Sequence, residues 1–262
     1  MTELNHTFNK GLAVAECLQK YRQLNLAELI EQTGLSKQAL LRVTATLVSR
    51  GWVRKRLNDK RYLWLGVSGQ AERDAAELLA TAARDELLAL AERTGCAVDL
   101  ALLNPQHQLY IADSTRSLAN RGVNLYVAGY QPSLVMTALG RAYLLNCERP
   151  QIDAALNRIT HFGDIAERYF LFTKRWQEEM SLCCERGYSL RFREDYIPQL
   201  LPESNPSLAI AIALVSKGRA IGAINLVWDD ANRSIEDVME QHFADLQHSA
   251  ARIAALQCDL SM

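Results

Sequence analysis

Residues 33–66, TGLSKQALLRVTATLVSRGWVRKRLNDKRYLWLG, constrain this chain more than any other stretch. A glycine turn separates two helical patterns, and two short extended runs crowded with Lys and Arg follow. Upstream, Leu12, Val14, Ala15 and Leu18 stand close to helical spacing and predict a first helix over 11–21. Asn25 with Glu28 three residues on has the form of an N-cap pair. Leu29 and Ile30 supply the apolar side of a second helix, and Gly34 fits its left-handed C-terminus. Ser36 caps a third helix, in which Leu40, Val43 and Leu47 fall on one face and Gln38, Arg42 and Ala45 on the other. Two short helices around a glycine turn make a helix-turn-helix, with the third helix placed to enter a DNA groove. The extended runs 52–57 and 61–65, around the turn Asn58-Asp59, predict a hairpin wing.

Charge is distributed to match. Residues 1–66 hold 11 Lys+Arg against 5 Asp+Glu, a net of +6, which leaves 18 against 25, a net of −7, for the rest of a chain whose total is −1. A basic module joined to an acidic remainder fits a polyanion partner for the first quarter only. Lys55, Arg56, Lys60 and Arg61 at the wing tip are expected to reach phosphates flanking the groove. The expected DNA-binding residues of the third helix are Ser36, Lys37, Gln38, Leu41, Arg42 and Ala45.

Other function classes find little support. The opening residues lack a secretory apolar segment, and no stretch approaches the roughly 18 apolar residues of a membrane span, so a cytoplasmic location without membrane partners is expected. Six scattered cysteines form no CxxC pair, and the five histidines show no ligand spacing. No metal site, cofactor or catalytic motif is expected, and the chain is not read as an enzyme.

The text GLAVAECL, followed by LAELIEQTGLSKQALLRVTATLVSRGWVRKRLNDKRYLWLG, resembles the amino-terminal winged helix of IclR-type bacterial transcriptional regulators. Ile30 departs from the small residue that many helix-turn-helix units keep four places before the turn glycine. The remainder resembles the family's effector-binding domain more loosely, through SLVMTALGRAYLL, ERGYSL and LAIAIALVSKGRAIGAINLVW, the last being similar to regulators of aromatic-acid catabolism. The resemblance implies an α+β protein. Its expected parts are a winged helix-turn-helix domain over 1–68, a linker helix over 69–94, and a GAF-like α/β effector-binding and oligomerisation domain over 95–262. Strands are expected over 97–104, 109–114, 208–215 and 220–228, with a long helix from Ile235 onward.

Carried over by position, the family's pocket implies Ala138, Leu139, Ser207, Asn225 and Val227, with Asp195 a weaker match. The N–H groups of a helix beginning near Thr137 would attract a carboxylate, with Met136, Leu139 and Ile212 as apolar walls. Met136 and Ile212 also fit ordinary core positions, and Arg121 fits either a counter-charge or a surface arginine. The implied partners are a double-stranded DNA operator with an inverted repeat, a small organic acid, RNA polymerase, and further copies of the chain as a homodimer or dimer of dimers. The alternative is a DNA-binding regulator whose C-terminal domain serves only dimerisation or partner docking.

Overall fold

The computed structural model describes residues 6–66, 75–104, 107–118, 127–191, 207–229 and 233–260. α1 (His6–Tyr21) begins earlier than its apolar pattern indicates. After β1 (Gln23–Leu24), α2 (Leu26–Thr33) starts at Asn25 with both halves of a capping box: the Glu28 N–H donates to Asn25 Oδ1 at 2.9 Å, and the Asn25 N–H to Glu28 Oε2 at 2.8 Å. Gly34 closes the helix at φ 66°. Leu29 is fully buried whereas Ile30 is 38% exposed, so the larger residue at 30 leaves the packing of α2 on α3 (Lys37–Ser49) undisturbed. Leu40 and Leu47 of α3 join Val14, Leu18, Leu29, Val53 and Tyr62 in one core.

The wing is a hairpin of β2 (Val53–Lys55) and β3 (Tyr62–Trp64), with β1 on the other side of β3. It is shorter than its apolar pattern predicts, because Leu57, Asn58 and Asp59 turn out of the ladder and Lys60 takes a left-handed φ of 59°. The expected linker helix is two helices, α4 (Ala75–Ala82) and α5 (Arg84–Thr94), parted at the buried Ala83. Its first expected residues, 69–74, lie outside those described.

β4 (Ala97–Leu103) and β5 (Leu109–Ser114) form the first long hairpin, and a 3-10 turn, Arg116–Leu118, follows. Then come α6 (Ala138–Leu145), α7 (Arg149–Phe162), α8 (Ile165–Leu171), α9 (Lys174–Arg186) and β6 (Ser189–Arg191). β7 (Leu208–Ser216), β8 (Arg219–Trp228) and α10 (Ile235–Leu260) complete the fold. The antiparallel sheet has the order β5-β4-β8-β7-β6.

Strand alternation gives this sheet two unlike faces. Val98, Leu100, Leu102, Ile210, Leu214, Ile224 and Leu226 point to α4, α5 and α10. Ala97, Ala101, Ala209, Ala211 and Ala223 point to α6. Small residues let α6 lie close, and its preceding segment is closer still: a Cβ built on Gly140 would stand 2.2 Å from the Ser133 carbonyl oxygen and 2.4 Å from Leu134 Cα. Gly140→Ala is therefore expected to lower stability by about 1–3 kcal/mol, as overpacking does. A fall in the urea midpoint at unchanged m-value checks it.

Candidate DNA interface and effector face

Residues Ser36, Lys37, Gln38, Leu41, Arg42 and Ala45 are all exposed, opposite the buried Leu40, Thr44 and Leu47. Leu41, Ala45 and Val48 also border a cleft of about 640 Å³ whose far wall includes Leu78, Thr81 and Ala82 of α4. One flank of the recognition helix thus faces the linker.

The four wing cations do not form one free cluster. Lys55 is exposed, its Nζ 5.3 Å from the centroid of the Tyr62 ring, and Lys60 is exposed with its Nζ donating to the Leu57 carbonyl. Arg56 is only 5% exposed and forks onto Asp59. Arg61 is bidentate to Glu28, with Nη1–Oε2 2.9 Å and Nη2–Oε1 2.8 Å. Of the four cations expected to reach phosphates, Lys55 and Lys60 are exposed, whereas the planar guanidinium of each arginine meets a nearby carboxylate in fork geometry. Glu28 serves twice: the Asn25 N–H foremost, and Arg61 as well, hold its carboxyl below the usual range against the opposing effect of burial.

The α6 face brings together part of the expected effector set. Thr137 caps α6 by accepting the Gly140 N–H on Oγ1 at 3.0 Å; Ala138, Leu139 and Val227 are buried in the same cluster, and Met136 packs against it. Ile212 does not belong there. It lies in the cluster under α4, α5 and α10, since a residue one step from Ala211 must point to the opposite side. Ser207 is 1% exposed, its hydroxyl and carbonyl both accepting from Arg191. Arg121 and Asp195 lie outside the described residues. A separate opening of about 590 Å³ between the β4–β5 hairpin, α6 and α7 includes Gln108, Ser133, Tyr143, Cys147 and Arg158, and none of the expected residues.

Asn225 is engaged. Its Oδ1 accepts the Asp99 N–H at 3.0 Å, and Asp99 anchors a buried cluster. Arg116 reaches the Asp99 carboxylate through Nε at 2.9 Å and Nη2 at 2.8 Å, and the Ser114 hydroxyl donates to it at 2.8 Å. Burial raises the Asp99 pKa, but the charge of Arg116 and the hydrogen bonds from Arg116, Ser114 and Asn225 outweigh burial and hold it below the usual value.

Residues 8–57 match the family profile of the IclR helix-turn-helix domain. The HTH-type transcriptional regulator TsaQ1/TsaQ2 of Comamonas testosteroni is 30% identical over 228 residues, spanning 83% of this chain and 75% of that protein. The chain belongs to the IclR family. Solved structures of IclR proteins share its fold: one from Brucella abortus has a TM-score of 0.53 at 19% identity, over 97% of this chain and 93% of its own. Another, an IclR homologue from Microbacterium hydrocarbonoxydans complexed with 4-hydroxybenzoate, has a TM-score of 0.53 at 15% identity, over 95% and 98%. As an IclR-family member the chain is a DNA-binding transcriptional regulator with an N-terminal winged helix and a C-terminal GAF-like α/β domain. No helix among the described residues is long and apolar enough to cross a membrane.

The charged residues inside the IclR fold escaped the sequence reading. Asp99 and Asp113 interrupt apolar strands, and Arg141 interrupts ALGRAYLL. Arg141 is fully buried, donating to Val135 O, Ser189 Oγ and Leu190 O. A charge inside an apolar run needs a buried partner, which was the available signal. For Asp99 the linkage has a definite sign. Its folded pKa is lowered, so its stabilisation is complete above the ordinary carboxylate value of about 3.9 and is lost as pH falls below that through the folded value. Asp99→Asn, which leaves Arg116 without its counter-charge, is expected to cost about 3–5 kcal/mol near neutrality and less in acid. Denaturant midpoints of both proteins over a pH series check it.

Proposed function

We propose that this protein is an effector-responsive regulator that reads an inverted-repeat operator as a homodimer or dimer of dimers and answers to a small, aromatic carboxylate, controlling a catabolic operon. The observation that carries the DNA half is the exposed strip Lys37, Gln38 and Arg42 on a helix whose other side is the winged-helix core. Ser36 and Lys37 suit phosphates, Gln38 and Arg42 suit base edges, and Leu41 and Ala45 suit apolar contact with thymine methyls. Lys55 and Lys60 serve the flanking backbone, with Arg56 and Arg61 joining them on release from Asp59 and Glu28.

The sensor half rests on the buried start of α6, facing an alanine-lined sheet that also carries Asn225, with Arg116 of the following 3-10 turn paired to Asp99 on it. Helix-start N–H groups favour a carboxylate, and Met136, Leu139 and Val227 favour a flat apolar ring. The Microbacterium complex makes 4-hydroxybenzoate the first compound to test. The alternative, a C-terminal domain used only for association, is favoured by Phe162, Ile165, Tyr169 and Phe172, which are 74–85% exposed around α8.

Arg42→Ala is expected to weaken operator binding by about 1–3 kcal/mol and to flatten preference at one base pair, with little change in stability. Equal loss on random DNA would make Arg42 a phosphate contact. For the sensor, calorimetric titration with 4-hydroxybenzoate should give binding to wild type and a large loss in Ala138→Trp and Asn225→Leu, while ligand-free operator binding persists. Wild-type affinity in a folded Ala138→Trp protein would move the site elsewhere. Heatless titrations with a range of aromatic acids would favour the association-only reading.

A further inference from the structure

Part of the wing tip is buried, between the exposed Lys55 and Lys60. Arg56, Leu57 and Asn58 are 5%, 2% and 2% exposed, and Leu57 belongs to the apolar cluster of Leu79, Ala80, Ala83 and Ala112, not to the winged-helix core. The polar groups of the tip are held as closely. Asp113, at 1% exposure on β5, accepts the N–H groups of Leu57 at 3.0 Å and Asn58 at 3.3 Å, together with Arg54 Nη2 at 2.6 Å. Arg54 also pairs with Glu77 of α4 and donates to the Ala112 carbonyl at 3.2 Å. In the other direction, Asn58 Oδ1 accepts the N–H groups of Val127 at 3.3 Å and Ala128 at 3.2 Å, and the Ser117 hydroxyl donates to Leu57 O at 3.3 Å.

We propose that this socket is an autoinhibitory latch: the C-terminal domain grips the wing tip through Asp113 and Asn58, and the docked arrangement is the low-affinity form for DNA. A wing contacts DNA with tip peptide N–H groups and cations directed at phosphate oxygens. Here two such N–H groups and a guanidinium surround the carboxylate of Asp113, an anion in the role a phosphate would take. The recognition helix is restricted as well. A helix seated in a major groove about 12 Å wide has DNA on both flanks, and the Leu41–Ala45–Val48 flank faces α4 across a cleft.

The same segment points toward the sensor face. Asp113 holds the wing, the next residue, Ser114, donates to Asp99, Arg116 pairs with Asp99, and Ser117 returns to Leu57. A ligand that draws on Arg116 or Asn225 would move the residues that form the socket. This last link rests on the proposed effector site; the latch itself does not.

The test uses the full chain and a fluorescent DNA duplex of mixed sequence, read by anisotropy across a salt series. Asn58→Ala removes the acceptor for Val127 and Ala128 without touching the winged-helix core. It is expected to bind roughly tenfold more tightly than wild type, because the competent population rises, and with a steeper salt slope as tip cations reach phosphates. In the second arm, Asn58→Cys with Ala128→Cys is oxidised to join the tip to its socket. The cross-linked protein should bind roughly tenfold more weakly than its reduced form, with oxidised wild type as the baseline for the native cysteines. A folded Asn58→Ala protein with unchanged or weaker affinity would overturn the latch. So would a pair that does not cross-link in free protein, or a cross-linked form that binds as tightly as the reduced one. Neither arm contains an effector, so the outcome is independent of the calorimetric test of the sensor.

Discussion

The structure depends on the unequal faces of one antiparallel sheet. Along β4, β7 and β8, alanine alternates with leucine, isoleucine or valine, and the two-residue period sends each set to its own side. Large side chains make a thick layer under α4, α5 and α10, which ties the linker to the body of the C-terminal domain. Alanines make a thin layer under α6, where backbones approach closely and polar residues such as Asp99 and Asn225 interrupt the apolar surface. One face thereby becomes mechanical support, and the other is the face on which the proposed effector site lies. Burial on the large-residue side supplies much of the stability, at roughly 25 cal/mol per Å² of apolar surface removed from water.

The positive charge of the first quarter divides by residue type. Lysines at 55 and 60 stay in solvent, whereas arginines at 54, 56 and 61 are committed to carboxylates. Their forks bond two oxygens at once, so arginine near an acid settles into a fixed pair, while the exposed Lys60 ammonium meets the Leu57 carbonyl and no carboxylate fork. Net charge therefore overstates what the folded module presents to a polyanion. Arg54 departs furthest from the sequence picture, since it sits in the basic run yet is buried between Asp113 and Glu77.

How far each feature could be read from the sequence follows from how local its cause is. Caps at Asn25 and Ser36, the Gly34 terminus and the four long strands arise from residues a few positions apart, and all were legible, whereas the start of α6 near Thr137 came from the family resemblance. α7 and α8 were not read, although α7 carries a stripe, Ile152, Ala155, Leu156 and Ile159, that packs on the α6 cluster; only Ile159 of these is buried, and α8 has no buried residue among those described. β6 is three residues long and takes its identity from pairing with β7. Ile212 was placed on the wrong face because alternation shows that two faces exist without showing which helices cover each. Contacts of the wing with Asp113 and Val127 join residues more than 50 positions apart, and no local pattern announces them.

The linker passes Ala83 without losing its hydrogen-bond ladder. The Ala83 N–H donates to the Leu79 carbonyl at 2.8 Å and the Leu87 N–H to the Ala83 carbonyl at 3.0 Å, so α4 and α5 stay joined end to end. Leu79, Ala80 and Ala83 enter the same apolar cluster as Leu57 of the wing tip. One short stretch of helix is thus both a wall of the wing's seat and part of the layer that covers the sheet.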